Sequence, residues 1–84
     1  MLAFDNLAWE DYLYFKEKDK IISKKIDKLL KETLRDPFEG IGKPERLKGN
    51  LSGFWSRRIT QEHRLVYKYE EDTLTIASCR FHYQ

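Results

Sequence analysis

Apolar residues recur at helical spacing early in this chain and alternate late in it, with a stretch between that follows neither rule. Residues 2–5 are short and partly apolar and fit an edge strand. Asn6 is placed to cap a helix over residues 7–18. Its apolar positions, Leu7, Trp9, Tyr12, Leu13 and Phe15, spread over a broad stripe. Asp19 is placed to cap a second helix reaching about residue 34. There the spacing is cleaner: Ile22, Ile26, Leu29, Leu30 and Thr33 mark one face, with Lys24, Lys25, Lys28, Lys31 and Glu32 largely outside it. Asp36-Pro37 stops it, because a residue before proline disfavours the helical region. Two nearly contiguous helices predict an antiparallel hairpin.

Residues 36–44 hold two glycines and two prolines and read as loop. Strand patterns follow. Arg46, Leu47 and Lys48 make a short one, and residues 53–60 a longer one. Residues 64–69 alternate, with Leu65, Tyr67 and Tyr69 opposite Arg64, Val66 and Lys68. Residues 73–83 alternate as well. Short links join the last three as an antiparallel meander. In the final strand the two-residue period puts Leu74, Ile76, Ser78, Arg80 and His82 on one face, apolar first and polar after. The reading is α+β, with an N-terminal helical hairpin packed on one face of a mostly antiparallel sheet. One domain spans residues 1–84, without internal repeats.

A chain of this length buries roughly 60% of its unfolded surface. Two Trp, five Tyr and five Phe therefore matter, since each fills much core volume. The net charge of +2 is a weak signal for a polyanion partner. Its distribution says more: between residues 43 and 64, Lys and Arg outnumber Glu and Asp is absent. That suits a polyanion-facing surface, although a solvated charged face would look the same. Cys79 is the single cysteine, so no intrachain disulfide forms, and its small apolar neighbours predict a buried thiol rather than a nucleophile. No run approaches the roughly 20 apolar residues of a membrane span, and no secretory signal is visible, so the cytoplasm is the expected location. Without a Cys/His cluster or paired carboxylates, neither metal nor other cofactor is expected.

The basic part of the chain carries one acid, several cations and a near-terminal histidine: Glu45, Lys48, Arg58, Arg64, Arg80 and His82, with Tyr83 beside the last. A carboxylate can take the proton of a ribose 2′-OH. Cations can hold the charge of a phosphorane, and an imidazolium can protonate the leaving 5′ oxygen. The plain reading of Glu45, a glutamate after a proline, is a solvated side chain. Of the two histidines, His63 begins a strand after a turn and reads as structural. His82 lies near the chain end, where RNA can reach it, and is the better acid. Phe54 and Trp55 read as core, whereas Tyr83 is the candidate for stacking on a base.

These blocks resemble one family, the YoeB toxins of the RelE-like superfamily of bacterial toxin–antitoxin systems. The likeness runs through residues 9–15 (WEDYLYF), 24–26 (KKI), 37–45 (PFEGIGKPE), 47–48 (LK), 50–60 (NLSGFWSRRIT), 62–67 (EHRLVY) and 79–83 (CRFHY). It implies a microbial-ribonuclease-like fold, related in outline to barnase. It also implies a ribosome-dependent endoribonuclease that cuts mRNA in the ribosomal A site without a metal, and an inhibiting antitoxin of the YefM type. A homodimer is compatible with it. By the same resemblance Glu45 is the general base, His82 the general acid and Arg64 the stabiliser of the transition state. Lys48 and Arg58 match basic residues at the phosphate, and Tyr83 shapes the site. Arg57, adjacent to Arg58 in a strand, points to the opposite face, toward solvent, rRNA or a partner. Gln84 departs from the family pattern, whose members often stop at the His-Tyr pair. Two rival activities share the fold: a non-catalytic module that binds ribosome or antitoxin, and a general ribonuclease acting on free RNA. Glu45 and His82 together argue against the first, since binding alone needs no acid–base pair.

Overall fold

The computed structural model describes residues 1–81. Strand β1 (Leu2–Phe4) leads into helix α1 (Asn6–Lys18), and α2 (Lys20–Arg35) follows after Asp19 alone. The chain then loops to β2 (Glu45–Arg46), passes a 3₁₀ turn at Gly49–Leu51, and forms β3 (Trp55–Arg58), β4 (Arg64–Glu70) and β5 (Thr73–Ser78). The five strands lie in the order β1-β5-β4-β3-β2. All pairs are antiparallel except β1 with β5, which is parallel. The expected α+β architecture, a helical pair on a mostly antiparallel sheet with an N-terminal edge strand, is the one observed.

Local chemistry sets the element ends. Asp19 Oδ1 accepts the Ile22 N–H at 3.1 Å and caps α2 as predicted. The start of α1 differs from expectation. Asp5, not Asn6, is the capping residue, and its side chain makes no capping bond. The cause is the sheet: the Asp5 amide donates to the Ile76 carbonyl at 2.9 Å, so the β1–β5 pairing decides where the helix begins. The β4–β5 hairpin turns through Glu71 and Asp72, both at positive φ, which matches the right-handed twist of the strands it joins.

The core lies between the helices and one sheet face. Ile26, Leu29 and Leu30 of α2 meet Leu65, Tyr67, Leu74 and Ile76 of the sheet. The face read for α2 is the buried one. The broad stripe read for α1 is not: Ala8 and Phe15 are buried, whereas Leu7, Trp9, Leu13 and Tyr14 stay exposed. Instead Trp9 and Tyr12 form an aromatic cluster with Phe4, ring centroids 5.3–5.6 Å apart. Ala8 lets α1 approach closely, and the Cys79 thiol donates to its carbonyl at 3.6 Å.

Two further expectations are corrected. β5 ends at Ser78, and its alternation breaks before that. Tyr67 pairs with Ile76 but Val66 pairs with Ser78, so Ala77 is an extra residue in a β-bulge. The bulge reverses the side-chain phase. Cys79, rather than Ser78 or Arg80, follows Leu74 and Ile76 into the core. Arg57 was read as facing solvent, RNA or a partner, yet it is 0% exposed. Its position opposite Leu65 puts it on the helix side of the sheet, where loop carbonyls receive it.

Cys79 behaves as its burial requires. Desolvation pushes the thiol up to about 12, and the Asp11 carboxylate adds to the effect. Native protein in mildly alkaline iodoacetamide is therefore expected to stay unlabelled, and denatured protein to label readily. Fast labelling of the folded form, read by mass spectrometry, would contradict this placement.

Candidate functional site

Residues directly opposite one another in neighbouring strands share a sheet face. Glu45 pairs with Ser56, Ser56 with Val66, and Val66 with Ser78. Arg58 pairs with Arg64. Leu65 and Tyr67 face the helices, so this other set lies on the face turned away from them. Glu45, Arg58 and Arg64, separated by up to 19 positions in sequence, thus share one sheet face. Lys48 is exposed just beyond β2, at the entry to the 3₁₀ turn.

The Arg58–Arg64 pair is costly as structure alone. Like charges directly across a ladder repel. Arg64 is half-buried, and its Nε is buried without a hydrogen-bond partner among the described residues. A buried guanidinium donor without an acceptor is a place an anion would satisfy. Ser56 Oγ, in the same row as Glu45, is likewise buried without a partner among the described residues. On one face, a carboxylate can take a proton from a nucleophile while guanidinium groups hold charge building on a phosphate.

Arg58 also borders a groove of about 380 Å³ together with Lys25 and Lys28 of α2 and Lys43 of the loop. Lysines 25 and 28 were legible only as the outer face of a helix. The loop brings Lys43 beside them, through a close approach that glycine permits. Gly42 has φ +82°, and a Cβ there would stand 2.9 Å from Leu29. Its carbonyl accepts the Arg58 N–H at 2.7 Å.

The residue before β4 is built differently. His63 is buried, and its Nδ1 accepts the Phe81 N–H at 2.8 Å. That agrees with the structural reading of this histidine. Arg80 does not line up with the sheet row that the sequence pattern gave it. Its guanidinium sits 4.0 Å from the Tyr14 ring centroid on α1 and 4.8 Å from that of Phe81. Burial holds the nearby Asp11 carboxyl above its ordinary range, against the pull of Arg80. Trp55 packs against the core, as expected, while Phe54 is half-buried with the Lys68 ammonium 5.6 Å from its ring. His82 and Tyr83 lie outside the described residues, as does Gln84. The last described residue, Phe81, is bonded through its carbonyl to the Arg64 amide at 3.1 Å.

Comparison with known proteins finds one matching family. Residues 4–83 match the family described as YoeB-like toxin of bacterial type II toxin–antitoxin system. The sequence is 63% identical over 82 residues to toxin YoeB of Escherichia coli K12, covering 98% of each chain. Among solved structures, a YoeB–YefM complex from Staphylococcus aureus superimposes with a TM-score of 0.92 at 51% identity, covering 99% of this chain and 97% of that one. A YoeB dimer from the same species gives 0.90 at 53% identity, covering 98% and 95%.

Proposed function

The chain belongs to the YoeB-like toxins of bacterial type II toxin–antitoxin systems, and from that premise we propose that it is a ribosome-dependent mRNA endoribonuclease. Glu45 takes the proton of a ribose 2′-OH, whose oxygen attacks the adjacent phosphorus. Arg64, helped by Arg58 and Lys48, holds the negative charge of the phosphorane. The bond from phosphorus to the 5′ oxygen breaks, and His82 supplies the proton to that oxygen. Tyr83 shapes the site around the base. The products are a 2′,3′-cyclic phosphate, or the 3′-phosphate from its hydrolysis, and a 5′-OH. No step calls for a metal ion.

The observation that supports this reading most is the Arg58–Arg64 pair on the face that also carries Glu45. Free imidazole titrates near about 6.5, and RNA phosphates beside it favour the protonated form that an acid needs. The basic groove of Lys25, Lys28, Lys43 and Arg58 fits rRNA backbone, whose counterions it would release. A ribosomal substrate places the protein in the cytoplasm. No helix among the described residues is long and apolar enough to cross a membrane. A YefM-type antitoxin is the proposed inhibitor and a second copy of the chain a proposed partner, in line with the Staphylococcus aureus assemblies.

One labelled mRNA, incubated with and without ribosomes, tests the reading. Cleavage is expected only with ribosomes, leaving a 5′-OH and a cyclic or 3′-phosphate. Equal cleavage of free RNA would make the protein a general ribonuclease. Ribosome binding without any cut would make it a non-catalytic module.

A further inference from the structure

Consecutive residues His63 and Arg64 hold Phe81 by both of its backbone polar groups. The Phe81 N–H donates to His63 Nδ1 at 2.8 Å, and the Arg64 N–H donates to the Phe81 carbonyl at 3.1 Å. Phe81 itself has φ 61°, a left-handed conformation that a phenylalanine keeps only where its surroundings enforce it. The His63 ring is fixed in turn, with the Phe15 ring at 5.0 Å and the Phe81 ring at 5.4 Å. Because Nδ1 accepts, the neutral ring carries its proton on Nε2, 3.6 Å from the Glu62 carboxylate.

We propose that His63 is a positioning residue, whose Nδ1 clamps the backbone of Phe81, the residue bonded to the proposed acid His82. The inference rests on the proposed role of His82 as general acid. Phe81 is bonded directly to residue 82, so loss of the clamp frees the backbone on which the proposed acid is carried. Displacing a catalytic group by about 1 Å can cost about 100-fold in rate.

Two substitutions in the full-length toxin separate the clamp from mere packing. His63→Leu keeps bulk and removes the acceptor. His63→Asn offers an amide oxygen near the place of Nδ1 and cannot be protonated there. Cleavage of ribosome-bound mRNA in a single turnover, ribosome affinity, and hydrogen exchange at the Phe81 amide are read together. His63→Leu is expected to slow cleavage by about 10- to 100-fold, with affinity unchanged and Phe81 exchange accelerated. His63→Asn is expected to restore both rate and protection. Fast exchange at Phe81 with an unaltered rate would overturn the positioning role, as would slowed cleavage with Phe81 still protected. Should His63→Leu fail to fold by circular dichroism, the His63→Asn arm decides by the same criteria. A wild-type rate in His82→Ala would reject the acid assignment and the clamp's catalytic role with it. Phe81 exchange would then still report whether the clamp exists, so the two failures look different.

Discussion

Replacing His82 with Ala is expected to lower the cleavage step by about 10²- to 10⁴-fold, the range that a general acid or base typically supplies. Ribosome affinity should hold, because the lost group acts on the leaving 5′ oxygen and the cations that face phosphate remain. Single-turnover rates and binding constants must therefore part company. The described structure sharpens this expectation. The other histidine is already committed, since His63 Nδ1 accepts from Phe81 and Nε2 sits by Glu62. It is buried, and its Nδ1 is taken up by the Phe81 amide. If His82→Ala cleaved at the wild-type rate, the acid assignment would be wrong and His63 would be the next group to test. A comparable loss in Glu45→Gln, with affinity retained, would assign the other half of the pair.

Much of this architecture was legible because the chain repeats one signal several times. The face of α2 repeats through Ile22, Ile26, Leu29, Leu30 and Thr33, and Asp19 caps it by a local bond that any helix start can use. The meander announced itself through the alternation of residues 64–69 and the turn at Glu71-Asp72. The features that stayed hidden depend on partners distant in sequence. Nothing about Ala77 marks it as the bulge residue, yet it reverses the phase of all that follows in β5. Asn6 has capping chemistry, but pairing of Asp5 with Ile76 decides the register of α1.

The candidate site divides in the same way. Residue types and the family likeness pointed to Glu45, Arg58 and Arg64. That they share one face is a matter of strand register, which the loop at residues 59–63 sets and residue types do not. Arg80 was drawn into the site by an alternation that the bulge cancels, and its cation instead packs on Tyr14. Lys25 and Lys28 were read as an outer face, and the groove they form with Lys43 and Arg58 needs the path of the glycine-rich loop.

Arg57→Leu is expected to be the most damaging substitution for stability, costing about 3–5 kcal/mol, the range seen when a buried charged network is broken. The guanidinium spends its donors on four partners: Nε on the Tyr67 hydroxyl at 3.2 Å, Nη1 on the Ile41 carbonyl at 3.0 Å, and Nη2 on the carbonyls of Asp36 and Glu39. Tyr67 completes the set by donating to the Pro37 carbonyl at 2.7 Å, and burial pushes its phenol above the ordinary range. Hydrogen bonds to a charged group contribute about 1.5–3 kcal/mol each, but the exposed loop regains water once released, so the four do not simply add. In a domain of this size each kcal/mol lowers the melting temperature by about 4–8 °C, so the loss should be plain in a thermal melt. Arg57→Lys should rescue little, because an ammonium is a point charge and cannot span carbonyls on three sides as a planar fork does. The consequence extends to the proposed chemistry. The clamped loop runs directly into Glu45, and its Gly42 carbonyl holds the Arg58 amide. A buried cation on one face of β3 thus sets the approach of the acid to the exposed cation on the other. A loss below about 1 kcal/mol on denaturant titration of Arg57→Leu, the level of an ordinary surface change, would mean that the loop is held by other contacts.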